Sequence, residues 1–329
     1  MRLLEVSDLR TSFFLRSGEL RVLDGVSLEI ERGEVLGLVG ETGSGKSVTA
    51  YSIIGLLKQP GRVVGGEIRW DGRDLVDLSQ SELEQEIRGK EIAMIFQNPR
   101  EALNPVITVG RQLTQVLRIR RGMSRHEARQ ETINIVKSVH ISDPESRLGS
   151  YPHQLSGGMA QRIMISLALS CQPRLLIADE PTTGLDVTTQ YQIVQLLREL
   201  RQRTGMAILL ITHDLALAAQ ICDRVAVLYA GRIAEVGPTE HLFRSPRHPY
   251  TRALLASRPR LGLKGDIVTI AGNVANLMHP PGGCRFHPRC PNALSICSQQ
   301  QPELEPMEPG QRVACYNPVA VQQQVAASG

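Results

Sequence analysis

The sequence predicts an α/β fold, and three observations carry that reading. Apolar stretches of strand length recur, among them "EVLGLVG" (34–40), "RLLIADE" (174–180) and "MAILLIT" (206–212). The first runs through a Gly-rich loop into a helical stretch, "KSVTAYSIIGLL" (46–57), the strand–loop–helix opening of an α/β unit. Between about 98 and 170, strand patterns give way to helical ones, "GRQLTQVLRIRR" and "SRHEARQETINIVKSV", so a helical insertion is expected inside the α/β domain.

The remaining elements follow in chain order. Residues 2–39 read as short strands broken by turns, "LLEVSDL" and "VLDGVSLEI" before "EVLGLVG". "GEIRW" and "EIAMIFQ" are further strand candidates within 66–97, and "RVAVLYAGRIAEVG" closes the strand series. Near 240 the texture shifts: "SPRHPYTRALLAS" leads into a Pro- and Gly-rich region. We therefore expect a main domain over 1–240, with its helical part at about 98–168, and an extension over 241–329 that is poor in regular structure. The last residues, "VQQQVAASG", are expected to fray.

At 329 residues the chain has ample material for a core, and 42% hydrophobic with 21% charged residues is an ordinary globular balance. A formal charge of +4 is too mild to argue for nucleic acid. "MRLLEVSDLR" lacks a charged-then-apolar leader, and no apolar run reaches the ~18 residues of a bilayer span. The expectation is a soluble chain, or one that rides on a membrane partner.

The chemistry begins at "GETGSGKS" (40–47), which fits G-x-x-x-x-G-K-[ST]. Gly40, Gly43 and Gly45 let the backbone curl so that its N–H groups face inward, and the helix starting near Lys46 adds its positive end. Lys46 supplies a point charge for β- and γ-phosphates, and the Ser47 hydroxyl is placed to ligate Mg²⁺. A second site is the tip of "RLLIADE". There Asp179 would hold Mg²⁺ and Glu180 would orient and deprotonate an attacking water. "ITHD" puts His213 at a similar strand end, where open α/β sheets bind ligands.

"LSGGMAQRIMISLAL" (155–169) resembles the signature motif of ABC ATPases. Ser156, Gly157 and Gly158 would expose backbone donors at a helix N-terminus, a second anion site. The resemblance covers about residues 1–240, and Met159, where many members have Gln, is its one departure. It implies a P-loop NTPase core with an antiparallel β subdomain and a helical subdomain. It also implies the site residues. Gln97 matches the Q-loop, Asp186 of "TGLD" the D-loop and His213 the switch histidine. Phe13 lies where an aromatic stacks on adenine, with Phe14 adjacent. The implied ATP-binding set is Phe13, Gly40, Glu41, Thr42, Gly43, Ser44, Gly45, Lys46, Ser47, Thr49 and Gln97. Ser47, Gln97 and Asp179 attend Mg²⁺; Glu180, His213 and Gln97 are catalytic. Leu155, Ser156, Gly157, Gly158 and Met159 would meet the ATP of an opposite subunit, since family members close head to tail. Each motif occurs once, so a partner ATPase subunit is expected.

The interval from Ser47 to Ser156, about 110 residues without sustained heptads, does not suit the coiled coil of repair ATPases, and one domain does not suit translation factors. A transporter subunit leads, with two separate membrane permease subunits and an extracytoplasmic binding protein as partners and no nucleic acid. Such a subunit sits peripherally on the cytoplasmic face of the inner membrane. "RHPYTRALLASRPR", "MIFQNPREALNP" and "IADEPTTGLDVTTQ" resemble dipeptide and oligopeptide importer ATPases. Nickel, glutathione and antimicrobial-peptide systems share the pattern. A poorly hydrolysing regulatory subunit and a nucleic-acid ATPase are the rival classes.

Four of the six cysteines, Cys284, Cys290, Cys297 and Cys315, cluster in the extension. Their spacing, C-x5-C-x6-C-x17-C, matches neither common zinc-finger nor ferredoxin patterns, which leaves a metal or free thiols open. The resemblance implies a [4Fe–4S] cluster, with zinc, joined by His279 or His287, as the alternative. Cys171 and Cys222 read as core residues, and the arginines of "RIRRGMSRHEAR" as a solvated helical face.

Overall fold

In the computed structural model the described residues are 2–257 and 270–320; the tail "VQQQVAASG" lies outside them. Residues up to 3, 30–35 and 77–211 form one compact unit, and the other described residues form a second.

The first unit is built on parallel strands Ile92–Ile95, Leu175–Asp179 and Ala207–Thr212, with Ile92 opposite Leu175 and Leu175 opposite Ala207. Every residue of the last two is buried, which is why they read as unbroken apolar runs rather than alternating ones. Covering a leucine such as Leu209 fully contributes about 1.5–3 kcal/mol. The expected insertion is present, from Pro99–Ala102 to Gly157–Leu169. Helices Val109–Arg121 and Arg125–Ser138 pack on each other and on Gly157–Leu169. They turn at Gly122, whose left-handed backbone ends the first helix, and Ser124, whose hydroxyl accepts from the Glu127 N–H while its own N–H donates to the Glu127 carboxylate. Val109, Leu113 and Leu117 give the first helix a fully buried stripe at four-residue spacing. Arg118, Arg120, Arg121, Arg125 and Arg129 are all exposed, the solvated face expected of them.

In the second unit the antiparallel β layer is a four-stranded sheet ordered Gly18–Glu31, Arg2–Leu15, Gly61–Trp70, Arg73–Asp74. Its first two strands have 14 residues each, where the sequence predicts short ones. In Arg2–Leu15 the cause is a bulge: Asp8 adopts φ 48° and the register shifts between Ser7 and Arg10, so "SDLR" bends a strand that it does not end. A second sheet region pairs Val35–Val39 in parallel with Arg224–Tyr229, followed by antiparallel Arg232–Pro238.

The extension is more regular than its composition predicts. Helices Thr239–Arg244 and Pro249–Ala256 precede the cysteines, and the hairpin Glu305–Glu308 and Gln311–Val313 adds to the edge of Arg232–Pro238. It also has a core. Tyr250 and Phe286 are buried and meet Tyr229, with ring centroids 4.6–5.3 Å apart and tilted or edge-on geometry. Beneath them Glu235, fully buried, accepts from the Arg247 and His248 N–H groups at 2.9 Å and from Gln311 Nε2 at 2.7 Å. Burial still pushes its carboxyl above the usual range.

His248 is buried beside Phe286, and its Nδ1 accepts from the Tyr250 N–H at 3.0 Å. Burial pulls its pKa from 6.5 down to about 4. The unfolded chain takes up this proton below about 6.5 and the folded chain does so near 4. Stability is therefore lost as pH falls through that window, by about 3 kcal/mol. Urea unfolding at pH 7, 5.5 and 4 should show this loss, and His248→Gln should make the decline shallower.

Candidate functional site

The sequence-predicted residues divide between the units. The phosphate loop, Phe13 and His213 belong to the second; Gln97, Asp179, Glu180, Asp186 and residues 155–159 belong to the first.

The loop 40–47 leaves the strand Val35–Val39 and enters the helix Lys46–Ile53. Gly40 has φ 157°, and a Cβ there would stand 2.2 Å from the Leu228 carbonyl, so no other residue fits. Lys46 is 5% exposed and its Nζ donates to the Gly40 and Glu41 carbonyls at 2.9 and 3.0 Å, tying the loop into a ring. Ser44 accepts from the Gly231 N–H at 2.8 Å through its carbonyl, while its buried hydroxyl has no hydrogen-bond partner. Thr42 and Gly43 are exposed at the tip. Ser47 is half-buried at the helix start, and Thr49 faces inward, donating its hydroxyl to Gly45 O at 3.0 Å. Thr11 Oγ1 lies 2.9 Å from Ser52 Oγ of this helix. Phe13, two residues on, shares that strand face and packs on Gly61, whereas Phe14 is 42% exposed under the Arg62 guanidinium. His213 is exposed just before Asp214, which caps the helix Leu215–Ile221 by accepting from the Ala216 and Leu217 N–H groups.

In the first unit Asp179 ends a buried strand and is 1% exposed. Glu180 follows at φ 46°, a conformation that costs a side-chain-bearing residue on the order of 1 kcal/mol and swings the carboxylate off the strand line. Its N–H donates to Ile211 O at 2.9 Å, and its Oε2 accepts from Gln97 Nε2 at 3.0 Å and Thr183 Oγ1 at 2.9 Å. Gln97 and Glu180 thus meet, and Thr183 joins them.

Residues 155–159 form a helix start. Leu155 is buried and its carbonyl accepts from Arg100 at 2.6 Å, while Ser156 is the N-cap, its hydroxyl accepting from the Met159 N–H at 3.3 Å. Gly158 has to be small: a Cβ would stand 2.7 Å from the Thr189 methyl. Thr189 also donates its hydroxyl and N–H to Asp186, at 2.7 and 2.9 Å, which holds the Asp186 carboxyl below its usual range. Gly158 and Asp186 are therefore joined through one threonine.

Cys284, Cys290, Cys297 and Cys315 line one small cavity with His248, Phe286 and His287, and none of the four is in a disulfide. Burial raises the Cys284 and Cys290 thiols and pushes Cys315 up to about 11. Among the described residues no three His, Cys, Asp or Glu side chains converge in a way that could hold a metal ion. His287 is tied up locally, its Nδ1 2.9 Å from Cys284 O. The [4Fe–4S] and zinc readings thus gain a shared cavity and no ready ligand shell. Cys222 is buried as expected, and Cys171 is half-buried.

Sequence reasoning missed the residues around the loop. "RHPYTRALL" had no chemical role to offer, yet the Tyr250 hydroxyl accepts from the Glu41 N–H at 3.0 Å. Arg289 makes a two-pronged ion pair with Glu41, at 2.8 and 3.1 Å. The available signal was that "CRFHPRC" sets an arginine directly beside each of two cysteines.

Among the described residues no helix is long and apolar enough to cross a membrane. The ABC transporter family model matches residues 23–183, and the model for the oligopeptide/dipeptide transporter C-terminal region matches residues 234–297. The oligopeptide transport ATP-binding protein OppD of Salmonella typhimurium is 47% identical over 318 residues, covering 96% of this chain and 94% of its own length. The dipeptide transport ATP-binding protein DppD of Escherichia coli is 45% identical over 320 residues, 97% of this chain and 98% of its own. A dimeric ATP-binding cassette solved in a post-hydrolysis state with ADP and phosphate superposes with a TM-score of 0.65 at 29% identity, over 72% of this chain and 98% of that one. A cassette of a Clostridium perfringens ABC transporter complex gives a TM-score of 0.63 at 28% identity, over 74% and 91%. With the phosphate loop, the Asp179–Glu180 strand end and the signature helix in place, the chain belongs to the family of ABC transporter ATP-binding proteins.

Proposed function

We propose that this chain is the ATP-binding and hydrolysing subunit of an importer for dipeptides or oligopeptides. The observation that carries the hydrolytic part is the Gln97–Glu180–Thr183 arrangement, which aims one carboxylate by two donors at the end of a buried strand. The peptide cargo rests on likeness to relatives that are peptide transport ATP-binding proteins over nearly their whole length. We assign residues 1–240 to the ATPase domain and 241–329 to the importer-type extension.

The roles follow from the motifs. The loop 40–47 binds the phosphates through backbone N–H groups and Lys46, and Phe13, on the strand face turned to the loop's helix, stacks on adenine. By the motifs Ser47, Gln97 and Asp179 are the residues that would hold Mg²⁺, and the ion would supply positive charge to offset that of the phosphates. Glu180 accepts the proton of the attacking water, and His213 contacts the γ-phosphate. Because each motif occurs once, Leu155–Met159 and Asp186 serve a second ATPase subunit's nucleotide. Two permease subunits and an extracytoplasmic binding protein complete the importer, and the chain rides on the cytoplasmic face of the membrane.

The four cysteines are assigned to a [4Fe–4S] cluster. A single ion such as zinc needs its donors around one point, whereas a cluster is held at several separate irons. What supports an assignment to all four together is that they line one small cavity. The cluster's role is to hold the extension together.

In the assembled transporter, Glu180→Gln should lower ATP turnover by at least about a hundredfold while ATP still binds; unchanged phosphate release would remove Glu180 from the chemistry. Anaerobically purified protein should be brown and carry iron and sulfide in equal amounts, and a colourless protein with one zinc per chain would replace the cluster with zinc.

A further inference from the structure

Glu41 belongs to the loop 40–47, and its carboxylate and N–H are held by side chains far away in sequence. Three contacts converge there. Arg289 reaches both carboxylate oxygens, at 2.8 and 3.1 Å, and its own side chain is 5% exposed. Arg289 Nε also donates to Ala271 O at 2.9 Å, and its guanidinium lies 5.8 Å from the Tyr229 ring centre. Tyr250, fully buried among Tyr229 and Phe286, accepts the Glu41 N–H at its hydroxyl.

A second set of contacts runs to the other side of the loop. Arg285 is buried and donates to the Ala230 carbonyl and, at 2.8 Å, to Asp24. Ala230 stands at φ 46°, and the next residue, Gly231, donates its N–H to the Ser44 carbonyl. Arg232 meets the same Asp24 at 2.7 Å. Burial would raise the Asp24 carboxyl, and the cations around it outweigh burial and hold it down.

We infer that Arg289 and Tyr250 are positioning residues for ATP binding: they fix Glu41, and with it the curl of the phosphate loop, before nucleotide arrives. A two-pronged arginine–carboxylate pair sets direction as well as distance. A buried tyrosine locked by two aromatic rings adds a fixed acceptor for one loop N–H. A loop whose N–H groups must face inward to meet phosphate gains affinity from being held that way beforehand. Arg289 and Arg285 sit next to Cys290 and Cys284, so whatever orders the cysteine segment orders the loop through them.

The inference rests on residues 40–47 as the ATP site, and the test separates the two. MgATP affinity is measured by calorimetry on the full chain, and KM and kcat on the assembled transporter, for wild type, Arg289→Ala, Arg289→Lys, Glu41→Gln and the Arg289→Ala/Glu41→Gln pair. Arg289→Ala should weaken Kd and raise KM about tenfold with kcat within about twofold of wild type. Arg289→Lys should recover part of the loss. The pair should be no weaker than either single variant, since both remove one contact. Should Arg289→Ala fail to fold, Glu41→Gln, which keeps shape and removes charge, carries the same expectation. Wild-type affinity in a folded Arg289→Ala or Glu41→Gln would overturn the clamp, as would additive losses in the pair. A wild-type chain that does not bind MgATP would overturn the site assignment and the clamp together.

Discussion

The curl of residues 40–47 is the constraint on which the rest depends. A phosphate-binding loop has to turn its N–H groups inward, so its carbonyls face the protein and need donors of their own. Here Lys46 serves Gly40 and Glu41, and Gly231 serves Ser44. Gly40 is squeezed against the Leu228 carbonyl, which explains a glycine there independently of any ligand. The strand Arg224–Tyr229 beside the loop, and the turn that follows it, are as much a part of the site as the motif itself. Their buried apolar residues hold that turn where Gly231 can donate.

The same economy governs the other half of the chemistry. Glu180 follows a fully buried strand, and its positive φ swings the carboxylate toward Gln97 and Thr183. The signature helix and Asp186 are tied through Thr189, which packs on Gly158 and donates twice to Asp186. In each case a small number of side chains with satisfied hydrogen bonds fixes the geometry, and the neighbouring strands supply rigidity.

Much of this was legible in the sequence, for physical reasons. A continuous apolar run of strand length ending in acids reads as a buried strand, so the strand that carries Asp179 and Glu180 at its end was readable. Fixed spacing of glycines before Lys46 encodes backbone curvature directly. The bulge at Asp8 was not readable, because a polar residue at positive φ inside a strand looks like a turn. Nor were the partners of Glu41. Arg289 and Tyr250 are over 200 residues away in sequence, and nothing local marks a tyrosine as the acceptor for a distant N–H. The extension was read as poor in regular structure, yet Tyr250 and Phe286 give it a packed centre against Tyr229. Rings placed one at a time in different segments leave no periodic signature.

The central claim is that residues 40–47 bind nucleotide phosphate, with Lys46 as the cation. Equilibrium binding of MgATP to the wild-type chain and to Lys46→Ala, compared at equal folded fraction by calorimetry, tests it most directly. The account predicts saturable binding by wild type and at least about a hundredfold weaker binding by the variant. Equal affinity in the two proteins would contradict it.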